Sequence, residues 1–114
     1  MSKRRIVVTG VGAVTPLGNN VRDTWLRVTQ GKSGIGPITL FDASTFNTRI
    51  AGEVKNFNFE RWLERNPPLA SATRSTFFAL QAAARAYKDA MLKPFSVDSR
   101  RFGLYFGAGD SGID

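Results

Sequence analysis

The run from Arg5 to Asn20, RIVVTGVGAVTPLGNN, constrains the fold more than any other stretch, because it passes from a strand through glycines to a proline turn. Ile6, Val7 and Val8 form an unbroken β-branched run, the pattern of a strand covered on both faces. Gly10 and Gly12 allow a turn or a close backbone approach, Pro16 fixes φ, and Gly18 with Asn19 ends the segment. A buried strand followed by a structured loop is the expectation, and the remaining elements must pack on it.

The same glycines superficially follow the G-x-G-x-x-G pattern of dinucleotide sites. Thr15 stands where the third glycine belongs, Pro16 interrupts the helix that should hold the phosphate, and Asp42 lies too far on to bind a ribose. Tight packing is the better account of Gly10 and Gly12.

Composition excludes several chemistries. The chain has no Cys and no His, which removes disulfides, thiolate and imidazole catalysis and the usual zinc sites; no metal or cofactor is expected. At 114 residues and 42% hydrophobic content one globular domain over 1–114 is expected. No apolar run reaches transmembrane length and no signal-peptide pattern is present, so the expected location is the cytoplasm. Sixteen Lys and Arg against nine Asp and Glu give +7, a charge that recruits acidic partners. The basic residues are dispersed and no nucleic-acid-binding signature accompanies them, which argues against nucleic acid.

Along the chain, Asn20 with Asp23 reads as a helix cap, followed by Val21, Trp25 and Val28 on one face and closed by Gly31. The Gly31–Asp42 segment reads as a surface excursion, and Arg49–Val54 as a short strand anchored by Ile50 and Val54, with Gly52 admitting another backbone. Phe59, Trp62 and Leu63 mark a short helix stopped by Pro67-Pro68. From Ser71 to Leu92, Phe77, Leu80, Ala84, Tyr87 and Met91 recur at helical spacing, which predicts a long amphipathic helix with that face buried and alanines allowing close packing. Phe102–Phe106 reads as a second buried strand, placing Leu104–Phe106 in one sheet with Ile6–Val8. Strand, helix, long helix and strand make an α/β pattern.

Gly109-Asp110-Ser111-Gly112 matches the local signature around a serine-protease nucleophile, but without histidine no base exists to activate Ser111. Chance is the better account.

The stretch SKRRIVVTGVGAVTPLGNN, together with Trp25, the GKSGI segment, Phe41-Asp42, Ala51-Gly52, Val54-Lys55, Phe57 and FGAGDSG at 106–112, resembles the N-terminal segment of the β-ketoacyl-[acyl carrier protein] synthases. The resemblance runs through essentially the whole chain, in order. It implies the N-terminal part of a thiolase-like α/β fold, a mixed sheet packed with helices, belonging to an acyltransferase that condenses an acyl thioester with malonyl carrier protein. It implies acyl carrier protein, malonyl and acyl thioesters as partners, and a homodimer when complete. In that family a Cys takes the acyl chain and two His assist decarboxylation. All three come later than the segment matched here, so this chain alone is expected to be inactive. Asp110 and Ser111 fall at the family's acyl-pocket corner, where many members carry an apolar residue in place of Asp110. Arg65 and Arg74 flank the place where relatives cluster cations for carrier docking, a place held here by Asn66, Pro67, Pro68, Leu69, Ala70 and Ser71. Two other readings remain open: a non-catalytic partner subunit of a ketosynthase pair, and a self-folding basic module that binds acyl carrier protein or nucleic acid.

Overall fold

The computed structural model describes residues 3–93 and 97–109. In chain order it contains α1 (Val21–Thr29), the two-residue strands β1 (Gly36–Pro37) and β2 (Ile50–Ala51), α2 (Glu60–Arg65), a 3-10 turn at Pro67–Ser71, α3 (Arg74–Asp89) and a second 3-10 turn at Ser99–Arg101.

The opening loop is tight. Thr15 and Gly18 exchange backbone hydrogen bonds across Pro16-Leu17, and the Thr15 hydroxyl accepts from the Leu17 and Gly18 amides, both at 3.1 Å. Asn20 then starts α1 as its residue type predicts: its Oδ1 accepts from the Asp23 amide at 2.8 Å and its Nδ2 donates to the Asp23 carboxylate at 2.7 Å. Gly31, at φ +67°, follows the helix in the left-handed conformation that glycine adopts without cost.

The excursion from Gly31 to Asp42 is held by a buried carboxylate. β1 pairs antiparallel with β2, and Ile38 N donates to Arg49 O at 2.9 Å. Beyond this ladder Glu53 accepts from Thr39 N at 2.8 Å, Thr39 Oγ1 at 2.7 Å and Leu40 N at 3.1 Å. Three donors satisfy a charge that could not otherwise be buried. The strand expected over Arg49–Val54 therefore shortens to two residues, since Glu53 receives donors from the loop by its side chain. Ile50 is exposed and does not anchor it, and Gly52 faces the side chains of Pro16 and Ile35 where another backbone was expected.

The core is aromatic. Phe57, Phe59, Phe77 and Phe78 form a connected set of ring contacts with centroids 4.6 to 5.8 Å apart. Pro67-Pro68 ends α2 and the chain re-enters α3 one 3-10 turn later. Phe77 is buried and Leu80 half-buried, but Ala84, Tyr87 and Met91 are exposed, so the predicted stripe is covered only at its N-terminal end. The glycine segment packs instead on a neighbouring stripe of small residues. A Cβ on Gly12 would be driven onto the Ala82 carbonyl oxygen and would lie 2.7 Å from Ala86 N; one on Gly10 would lie 2.7 Å from the Ala90 Cβ. Val11 N donates to Asp89 Oδ2 at 2.9 Å, fixing this approach.

The sheet joining Ile6–Val8 to Leu104–Phe106 does not form within this chain. Among the described residues neither run belongs to a strand, and the only sheet is β1–β2. Ile6 is 94% exposed, Val8 82%, Leu104 70% and Tyr105 94%. Both runs are apolar, but no neighbour among the described residues supplies the backbone donors and acceptors that would make them strands. Consistently, the chain exposes 10047 Å², against about 6,200 Å² for a closed monomer of 12.5 kDa. Its radius of gyration is 17.5 Å, against about 13 Å for a packed domain of this length.

Candidate functional site

A groove of about 460 Å³ lies where α2, α3 and the loop through Asn56 and Asn58 meet. α2 contributes Arg61, Trp62 and Arg65, and α3 contributes Gln81, Ala84, Arg85 and Lys88. The helical period explains the composition, since Arg61 and Arg65 stand four residues apart on one face of α2, and Arg85 and Lys88 three apart on one face of α3. The walls are tied by Trp62 Nε1, which donates to Gln81 Oε1 at 3.1 Å. At one end Asn19 Nδ2 donates to the carbonyls of Lys55 (2.9 Å) and Asn56 (3.1 Å), where Asn56 takes the positive φ (+56°) that asparagine tolerates.

The groove is cationic on both walls. Among the described residues no carboxylate lines it and none of its four cations is paired; the Arg100–Asp98 ion pair, at 3.2 Å, lies outside the groove. Arg85 and Lys88 also border an adjoining depression with Val11, Arg22 and Asp89, so they form a ridge between two hollows. Four cations facing one hollow give this surface a local positive potential that attracts anions.

Of the residues singled out by sequence, Arg65 lines this groove. Arg74 does not: its guanidinium lies 4.6 Å over the Phe59 ring and 5.7 Å from the Phe78 centroid, beside the separate hollow that contains Glu53. The two docking candidates are therefore not brought into one depression. Asp110 and Ser111 lie outside the described residues. Sequence reasoning missed Arg61, Arg85 and Lys88; the i,i+4 spacing of Arg61 with Arg65 was the available signal. It also missed Glu53, whose carboxyl is held below its ordinary range by the Thr39 amide first and the Thr39 hydroxyl second, against the opposing effect of burial. Among the described residues no cluster of three or more His, Cys, Asp or Glu could hold a metal ion, and no helix is long and apolar enough to cross a membrane.

Residues 3–113 match the family described as "Beta-ketoacyl synthase, N-terminal domain", and the chain belongs to that family. Its relatives include proteins named 3-oxoacyl-[acyl-carrier-protein] synthase 2. That of Synechocystis sp. is 40% identical over 99% of this chain, that of Coxiella burnetii 41% over 99%, and that of Staphylococcus aureus 37% over 97%. In each case the chain spans 27% of the relative's length. Among solved structures, the ishigamide ketosynthase/chain length factor matches with a TM-score of 0.70 at 36% identity, covering 81% of this chain and 23% of that one. These matches give the chain the thiolase-like ketosynthase fold expected from its sequence, although its two apolar runs are unpaired here.

Proposed function

We propose that this chain is the N-terminal part of a synthase that condenses an acyl thioester with malonyl carrier protein, losing carbon dioxide and forming a 3-ketoacyl product. The observation that supports it most is the family match over residues 3–113. In this reading the chain supplies scaffold and docking surface, while the cysteine that accepts the acyl group and the histidines that assist decarboxylation belong to the part of the relatives' length it does not span. The complete enzyme works in the cytoplasm as a homodimer, with Asp110 and Ser111 at the acyl pocket. Its acidic partner is acyl carrier protein and not nucleic acid, and Arg65 and Arg74 are the residues that meet the carrier.

The experiment joins this chain to the remaining segment of the Synechocystis relative and assays 3-ketoacyl product. Activity in the joined protein supports the reading, and a soluble joined protein without activity counts against it. Replacing Arg65 and Arg74 by Glu in that protein should raise KM for malonyl carrier protein several-fold and leave kcat little changed, because exposed pairs contribute about 0.2–1 kcal/mol each and charge reversal adds repulsion.

The ishigamide neighbour favours a second reading, since that protein couples a ketosynthase with a chain length factor. This chain would then belong to the non-catalytic partner of such a pair. A cysteine codon at the family's nucleophile position in the downstream gene sequence decides between the two.

A further inference from the structure

We infer that the α2–α3 groove is a polyphosphate-binding site, taking a ligand with at least two linked phosphates whether free or borne on a larger molecule. Arg61 and Arg65 form one wall and Arg85 and Lys88 the other, with no carboxylate between them and no ion pair to neutralise them among the described residues. Like charges three or four apart on one helix face cost stability, and two such sets facing one hollow add to that cost. An anion between the walls turns this repulsion into attraction. One phosphate carries about −1.5 to −2 charges and would balance half the cluster; two linked phosphates roughly match all of it. Arginine forks suit phosphate oxygens bidentately, and about 460 Å³ lies within the range of about 300–1,000 Å³ common for small-ligand sites. Trp62, fixed to Gln81 at the groove wall, reports on occupancy.

The site does not depend on the condensing reading. Arg65 is shared with the carrier-docking reading, so the test variants are Arg61, Arg85 and Lys88; Arg74, the carrier candidate outside this groove, has no part in it.

The test titrates the full chain carrying Trp25→Phe, so that Trp62 is the sole tryptophan and is excited selectively over the two tyrosines, with pyrophosphate, ADP, orthophosphate and sulfate at constant ionic strength. Saturable binding of pyrophosphate and ADP at least tenfold tighter than orthophosphate or sulfate is expected. Arg85→Gln with Lys88→Gln should weaken pyrophosphate at least tenfold, and Arg61→Gln alone should weaken it severalfold. Arg101→Gln, outside the groove, should change nothing. Equal affinity for all four anions, unsaturable binding, or an unaffected Arg85→Gln/Lys88→Gln variant would overturn the assignment. Should that double variant not fold, Arg61→Gln decides by the same criterion.

Discussion

Replacing Gly12 by Ala tests the packing of the N-terminal segment on α3. The new methyl would overlap the Ala82 carbonyl oxygen and sit 2.7 Å from Ala86 N, and both are helix backbone atoms that cannot swing aside. The segment must therefore lift, stretching the 2.9 Å bond from Val11 N to Asp89. Overpacking of this kind costs about 1–3 kcal/mol, which raises the local opening equilibrium by about 5- to 150-fold. Gly107→Ala is the control, because nothing lies within 4 Å of a Cβ there. Both substitutions stiffen the unfolded chain alike, so that contribution cancels between them. Hydrogen exchange followed by mass spectrometry should show faster exchange in peptides spanning 5–20 for Gly12→Ala, with Gly107→Ala unchanged there. Equal exchange in the two variants would refute the close approach.

Three further outcomes follow from the same geometry. Glu53 has a depressed folded-state value, so the stabilisation it gives the Thr39–Leu40 loop is present above the ordinary glutamate value of about 4.3 and is lost as the pH falls through its lower folded value. The amide resonances of Thr39 and Leu40 should titrate there, and in Glu53→Gln they should not. Asn20→Ala removes the α1 cap at a cost of about 1 kcal/mol, visible as faster exchange across Val21–Thr24 and not across α3. Arg74→Ala loses a cation–π contact of about 0.5–1 kcal/mol and should loosen peptides over Phe77 and Phe78, whereas Arg65→Ala should not.

Local signals were legible where the interaction is itself local. The Asn20 cap with Asp23, the Pro67-Pro68 stop, the Gly31 terminus and the long helix with Phe77 inward all depend on residues a few positions apart. Ile6–Val8 and Leu104–Phe106 were legible as apolar runs but not as paired strands, because pairing is a relation between segments, and the pattern of one run does not contain its neighbour. The C-terminal half of the α3 stripe failed for the same reason: Tyr87 and Met91 have the right period but are left exposed among the described residues. Gly10 and Gly12 were read correctly as close-packing residues, while the alanine row that receives them followed from residue size. The groove could not be read from sequence because it exists only where α2 meets α3. Glu53 was hidden because its donors, Thr39 and Leu40, come from the β1–β2 connection and not from its own sequence neighbours.

In the proposed reading this chain is scaffold without the condensing cysteine, and an assay for 3-ketoacyl product measures that most directly. Purified from a host whose own synthases have been removed, and supplied with acyl thioester and malonyl carrier protein, the 114-residue chain should yield no product, and joining it to the remaining segment of a relative should restore turnover. Product formed by the chain alone would contradict the account.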